Sequence, residues 1–464
     1  MQSTIKLEKR KMYIPKATLA LFALLSQFVL FAQDDLSLND AITVGLERNF
    51  DIQIERRNVE IARNNNNWSQ LFPSLSASIQ GSRTTFDNRE ALSPFAILAK
   101  TNTSQIQPGV NVNWDLFSIA NITVGKRQLE QLQAESEGNA DIVVANTIQA
   151  IILGYYGAVL QLRRLQEFEK QLELSSDKYQ LLQARAEIGS AVTADLLLEE
   201  GNYLTDSVNY VNQLLVYQNA VSNLNFLLDD PNPARQYNFT DDLQFEYQEL
   251  TFEDLSRQAQ ERNVDLRKQY LTQSVLAKTT QLRKLDRYPT LSLGANYSLT
   301  RNTQDISDWP LDFRTDENGV VTNSGNNENI NYGVNFTISF NLFDGGRVNR
   351  AIKEALIRED IGNIQTERLK ASLNRDMIQA LDQYKVRKQL FDINDRRYQA
   401  SEQNLEISEE RFRNGSINSF DYRTVQNNNL AAATVRLQSI YDLLDSQVSL
   451  MRLTGALSQE YGNQ

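Results

Sequence analysis

Four segments of the chain alternate apolar and polar residues with period two. From Leu291 the apolar set is Leu291, Leu293, Ala295, Tyr297 and Leu299, with Ser292, Gly294, Asn296 and Ser298 between them. From Tyr332 it is Tyr332, Val334, Phe336, Ile338, Phe340 and Leu342, alternating with Gly333, Asn335, Thr337, Ser339 and Asn341. The first half of the chain shows Leu75, Ala77 and Ile79, then Val110, Val112, Trp114 and Leu116 against Asn111, Asn113 and Asp115. Successive side chains of a strand point to opposite faces, so each segment reads as a two-faced strand. Strands are expected at about 74–86, 107–117, 290–300 and 332–343. Their length, with Trp114, Phe117, Tyr297, Tyr332, Phe336, Phe340 and Phe343 along an apolar face, fits tilted strands of a membrane barrel. The same alternation would serve half-buried strands of a soluble sheet. Polar faces of Asn, Ser, Thr and Gly with few charges favour a wet lumen instead. Four strands cannot close, because the smallest such barrels have about eight. Several chains must then share one barrel.

Between the strand pairs lie long helical stretches. No proline occurs from Ala120 to Ala186 or from Arg347 to Phe412. In the second, Tyr384, Phe391, Tyr398, Leu405 and Phe412 recur every seven residues; the aligned first-half positions are Ala158, Leu165, Leu172, Tyr179 and Ala186. A seven-residue apolar period marks a helix supercoiled on a neighbour. The positions three further on are mostly polar (Arg387, Asn394, Ser401, Ser408), so the stripe is narrow. A narrow stripe suits the wall of a hollow tube; an antiparallel coiled-coil rod is the alternative. The helices are expected to turn at Gly189-Ser190 and Gly415-Ser416, where glycine permits the left-handed conformation. Thr193 and Ser419 offer caps for the returning helices, each of which carries an acid one turn in, Asp195 and Asp421.

The two halves are copies. Glu47-Arg48-Asn49-Phe50-Asp51-Ile52 returns as Glu261-Arg262-Asn263-Val264-Asp265-Leu266, and Phe72-Pro73-Ser74-Leu75-Ser76 as Tyr288-Pro289-Thr290-Leu291-Ser292. Trp114-Asp115-Leu116-Phe117 matches Phe340-Asn341-Leu342-Phe343, and Gly189-Ser190 with Asp195 matches Gly415-Ser416 with Asp421. Repeated order of this kind indicates a tandem duplication. Each copy reads helix, strand, strand, helix, helix, with helix starts near Asn39-Asp40 and Glu253-Asp254, and with Pro73 and Pro289 opening strands. The expected organisation is a leader at 1–32, a first repeat at 33–228, a linker at 229–250, a second repeat at 251–457 and a tail at 458–464.

The leader carries Lys6, Lys9, Arg10, Lys11 and Lys16 against Glu8, then a mostly apolar run from Ala17 to Ala32. That run is short for a spanning helix, which needs about 20 residues, and suits a secretion signal; an uncleaved anchor is the alternative. No other stretch approaches 18 apolar residues, so an exported chain without a transmembrane helix is expected. Among 464 residues there are 47 Lys+Arg against 58 Asp+Glu, a net charge of −11, which speaks against a nucleic-acid partner. The chain has no Cys and no His, which removes disulfides, thiolate or imidazole metal sites and the commonest catalytic base. No catalytic, cofactor or metal residue is assigned.

Together the duplication, the Pro-led strands, Leu342-Phe343-Asp344-Gly345-Gly346-Arg347 and Arg413-Asn414-Gly415-Ser416 with Asp421 resemble the TolC-like outer-membrane efflux family (outer membrane factors) over essentially the whole mature chain. The resemblance implies a mixed α/β membrane protein. In it a homotrimer forms a 12-stranded outer-membrane β-barrel, four strands per chain, continued by a long periplasmic α-helical barrel of coiled-coil hairpins. It implies a passive exit duct, not an enzyme, in a tripartite efflux or type I secretion system. The partners would be a periplasmic adaptor (membrane fusion protein), an inner-membrane pump and outer-membrane lipid. Pro73, Pro289, Gly345 and Gly346 would mark helix–strand junctions. The tip and gate would comprise Gly189, Ser190, Asp195, Phe412, Gly415, Ser416, Ile417, Phe420, Asp421, Tyr422 and Thr424. Better-known members have an acid where this chain has Thr424 and can have an Arg where it has Ile417. Closure is therefore expected to rest on packing of Phe412, Ile417, Phe420 and Tyr422. A periplasmic coiled-coil scaffold and a metal-efflux duct are the competing functions.

Overall fold

The structure, a computed structural model, describes residues 34–87, 100–116, 119–190, 192–244, 247–305 and 324–462. The expected leader and Phe117 lie outside them. The elements in chain order are β1 (Asp34–Leu36), α1 (Leu38–Arg48), α2 (Phe50–Asn65), β2 (Ser74–Asp87), β3 (Lys100–Asp115), α3 (Ile119–Glu187), α4 (Thr193–Leu227) and β4 (Tyr237–Phe239). There follow α5 (Phe252–Arg262), α6 (Val264–Leu285), β5 (Thr290–Asp305), β6 (Ser324–Ser339), α7 (Arg347–Arg413), α8 (Ser419–Thr454) and α9 (Ala456–Glu460).

The chain divides into two compact units. The first comprises Met1–Ala41, Gly154–Phe226 and Asp230–Leu243. In it β1 pairs in parallel with β4, a strand within the expected linker, and the buried Tyr155 hydroxyl donates to the Leu36 carbonyl at 2.8 Å. The second comprises Ile42–Leu153, Leu227–Asp229 and Gln244–Gln464. It holds a four-stranded antiparallel sheet in the order β2-β3-β5-β6 and the hairpin of α7 and α8. At about 1.5 Å per residue, the 67-residue α7 is on the order of 100 Å long. The heptad position Tyr384 is fully buried, in a cluster with Leu255, Ala259, Leu373, Met377, Leu381, Leu443 and Leu450, and Phe391 packs against that cluster.

Several expectations are corrected. The leading helix of each repeat is two helices, broken at Asn49 and at Asn263. Asn49 Oδ1 accepts from the Asp51 and Ile52 amides while its Nδ2 donates to the Leu227 carbonyl at 3.0 Å. Asn263 Oδ1 likewise accepts from the Leu266 amide while its Nδ2 donates to the Leu453 carbonyl at 2.8 Å. The helices start before the acids singled out in the sequence. Ser37 and Thr251 cap them, each accepting from the amide of the acid three residues on, Asp40 or Asp254. The strands extend further from the helices than the alternation suggested, so the segments left between them shrink to 88–99 and 306–323. At the other end β6 stops at Ser339, which leaves Phe340 and Phe343 in the exposed junction.

The α3 helix also contains an 18-residue window of mean hydropathy 1.6, enough by length and composition for a span. Within α3, Ile148, Ile151, Ile152, Tyr155, Ala158 and Val159 are buried at helical spacing, so these apolar positions form a packing face.

Candidate functional site: sheet faces and hairpin tips

Register decides the chemistry of the sheet. One face carries rows of apolar neighbours across all four strands: Leu75–Val112–Ala295–Val334, then Ala77–Val110–Tyr297–Tyr332, with Trp114–Leu293–Phe336 towards the helices. Tyr297, Tyr332, Phe336 and Ile338 are exposed, so among the described residues this face has no cover. An apolar sheet face of this size left open to water would be costly, and lipid is its natural solvent. Away from the helices the same face turns polar at Arg301 and Glu328, which pair at 3.4 Å. The opposite face is built from rows such as Asn113–Gly294–Asn335 and Asn111–Asn296–Gly333. Among the described residues, the outer strands β2 and β6 each leave one edge unpaired.

The junctions are tightly specified. Gly345 and Gly346 both have positive φ, +66° and +79°, and fold the chain so that Asp344 caps α7. The Asp344 carboxylate accepts from the amides of Val348 (2.8 Å), Gly346 (2.8 Å) and Arg347 (3.1 Å), and these bonds, Val348 foremost, hold it below the usual carboxylate range. Pro289 directly precedes β5. Pro73 directly precedes β2, although α2 has already ended at Asn65 and a single 3₁₀ turn, Ser69–Leu71, intervenes. Trp114 Nε1 donates to the carbonyl of Leu71 in that turn at 3.0 Å.

Each hairpin closes through the same pair of bonds. Gly189 and Gly415 have φ of +72°, the Ser190 amide donates to the Arg185 carbonyl at 2.8 Å, and the Ser416 amide donates to the Arg411 carbonyl at 2.7 Å. This six-to-one bond, with the five-to-two bonds from Gly189 to Ala186 and from Gly415 to Phe412, is the Schellman closure for which glycine is suited. The returning helix α8 is capped by Asn418, not by Ser419. Asn418 Oδ1 accepts from the Asp421 amide at 2.8 Å and its Nδ2 donates to the Asp421 carboxylate at 2.9 Å. Thr193 is the first residue of α4 itself.

Within one chain the expected gate residues differ in exposure and contacts. Phe412 and Tyr422 are buried and stack on each other, with ring centroids 4.9 Å apart and planes 11° from parallel. They tie α7 to α8 inside one hairpin. Phe420 is 70% exposed and Ile417 is half-buried. Thr424 is exposed, with its hydroxyl donating to the Phe420 carbonyl at 3.0 Å. Sequence reasoning named Gly189, Ser190 and Asp195 at the first tip but passed over Ile188 and Val192, which flank the turn and are both exposed. Apolar residues beside a glycine turn were the available signal.

Comparison with known proteins adds the following. Residues 255–456 match the family described as outer membrane efflux protein. The fold is shared with the Campylobacter jejuni CmeC outer membrane channel (TM-score 0.69, 16% identity, 99% of this chain and 97% of that one). It is also shared with a membrane protein from Pseudomonas aeruginosa (0.68, 18%, 90% and 93%). The open state of the Neisseria gonorrhoeae MtrE outer membrane channel is similar as well (0.67, 16%, 90% and 88%). No curated protein matches the chain in sequence. The second repeat thus matches the outer membrane efflux protein family, and the fold of outer-membrane channels is shared along nine-tenths of the chain or more.

Proposed function

We propose that three copies of the chain close one 12-stranded barrel and form the passive exit duct of a tripartite efflux or type I secretion system. In this reading the duct receives substrates from a periplasmic adaptor and an inner-membrane pump. The observation that carries the reading is the sheet: one apolar face, one polar face and two unpaired edges. An exposed strand edge invites pairing. In the β2-β3-β5-β6 order the two edge strands run in opposite directions, so β6 of one copy can meet β2 of the next and keep the sheet antiparallel all round. Three such joints give twelve strands, within the range of outer-membrane barrels. The exposed Ile188, Val192 and Phe420 give the hairpin tips apolar contacts for an adaptor. Directional energy would come from the pump.

Because the chain has no native cysteine, introduced thiols are unique. One cysteine in β2 and one in β6, scanned along both strands, should yield cross-linked dimers and trimers and no higher species under oxidation in membranes. A native mass of one chain in detergent, with no cross-link at any register, would remove the shared barrel and the duct with it.

A further inference from the structure

The polar face of the sheet has a composition that the duct reading alone does not require. Along β2 it presents Ser74, Ser76, Ser78, Gln80, Ser82, Thr84 and Phe86; along β5 it presents Thr290, Ser292, Gly294, Asn296, Ser298, Thr300, Asn302 and Gln304. On β3 and β6 it continues with the same residue types, including Gln105, Gln107, Asn111 and Asn113, and Asn327, Asn329, Asn331 and Asn335. Among the described residues of the four strands, the only ionisable side chain on this face is Asp115, at the helix end of β3. The charged residues Arg83, Arg301 and Glu328 all fall on the opposite, apolar face. In a chain that is 23% charged, segregation of this kind is a property of the lining and not of the composition.

The amides lie along the wall. A Cβ placed on Gly294 would sit 2.6 Å from Asn335 Oδ1 and 3.0 Å from its Nδ2, and one on Gly333 would sit 3.3 Å from Asn296 Oδ1. Each asparagine side chain therefore lies over the glycine of the neighbouring strand, along the sheet. Gln105 Nε2 donates to Gln107 Oε1 at 3.2 Å, and Asn335 Nδ2 to Thr337 Oγ1 at 3.5 Å. An amide offers a carbonyl to cations and an N–H to anions, and a hydroxyl does the same. A wall built from them hydrates solutes of either sign and carries no net field to sort them.

Resting on the barrel reading above, we propose that the barrel section is indifferent to charge. It takes polar solutes whether cationic, anionic or neutral, and any ionic preference of the whole duct is set outside the barrel. The test uses single-cysteine variants Ser78→Cys, Asn111→Cys and Asn331→Cys on the polar face, with Val110→Cys and Val334→Cys on the apolar face as controls. Intact cells are treated with thiosulfonate reagents of positive, negative and zero charge. The expected result is reaction at the three polar-face sites, with cation-to-anion rate ratios within about twofold of a free thiol in the same buffer, and protection at the two controls. Polar-face reaction with a ratio skewed tenfold or more would overturn charge indifference and leave the barrel standing. Reaction at the apolar-face controls with protection of the polar face would instead remove the barrel orientation on which the proposal rests.

Discussion

Tyr422 and Phe412 illustrate what a single side chain contributes to this hairpin. Burial, and after it the charge of Glu409, pushes the Tyr422 hydroxyl up to about 12 from its ordinary 10.0. A raised value means that the folded state holds the proton more tightly. The contribution is therefore complete below pH 10 and is lost as pH rises through about 12. Protection at the α7–α8 tip, taken as exchange relative to the hydroxide-catalysed rate of the unfolded chain at each pH, should fall across that window, and a Tyr422→Phe variant should lose the alkaline step. Phe412→Ala empties half of the stack and should cost about 3–5 kcal/mol of local stability, seen as lost exchange protection at the tip. Phe420→Ala differs: an exposed ring contributes little to packing, so thermal stability should move by no more than about 0.5 kcal/mol. If Phe420 closes the duct or contacts an adaptor, its loss should appear in single-channel conductance or adaptor binding while the fold is untouched. The glycine turns were legible in the sequence, because a left-handed turn at a helix end demands a residue type. The stack was not legible, because it depends on which residues of α7 and α8 face each other across the hairpin.

At the scale of elements, the first hairpin is held differently from the second. Lys178 of α3 and Glu199 of α4 pair at 2.9 Å with side chains only 2% and 1% exposed. One to two helical turns back along α3 and about two turns further along α4, Asp206 accepts from Ser175 Oγ and, at 3.3 Å, from Gln171 Nε2. The matching positions of the second repeat are Asn404, Val425 and Ala432, so this buried pair has no counterpart there, and α7 and α8 are joined instead by the half-buried pairs Arg387–Asp445 (2.8 Å) and Arg436–Asp395 (2.5 Å). A buried pair contributes less to net stability than to fixing register, yet breaking it strands a charge. Lys178→Met should cost about 3–5 kcal/mol by thermal or exchange measurements, and Lys178→Met with Glu199→Leu should recover much of that loss. If the single and double variants lose equally, the pair does not act as a unit. Elements also mark the limit of sequence reading. The strand cores were legible, since period two reports directly on two unlike faces. Their outer ends were not, because around Arg83, Thr85, Asn102, Thr303 and Asn326 both faces are polar and the contrast disappears. The breaks at Asn49 and Asn263 were hidden for another reason: apolar spacing continues through them, and the asparagines act by reaching the carbonyls of Leu227 and Leu453, far along the chain.

For the whole molecule, the two ends of the sheet differ, and on the barrel reading proposed above that difference gives the barrel a direction. At one end every strand runs into helix or junction: Pro73 precedes β2, Leu116 follows β3, Pro289 precedes β5, and Asp344 with its two glycines follows β6. Tyr288, Phe340 and Phe343 are exposed there, where aromatic rings suit a membrane interface. At the other end the apolar face of the sheet changes to Arg83, Arg301 and Glu328, residues that belong in headgroups or water. In the exit-duct reading proposed above, the helical end lies on the periplasmic side. Segments 88–99 and 306–323, which join the strands at the charged end, should then face the exterior. Protease recognition sites inserted into either segment should be cut on intact cells, leaving fragments still held together as a trimer by the barrel. A site inserted at Gly189-Ser190 or Gly415-Ser416 should be cut only after the outer membrane is opened. The reverse pattern, cleavage at the hairpin turns in intact cells with protection of 88–99 and 306–323, would invert the topology and separate the helical duct from any inner-membrane partner.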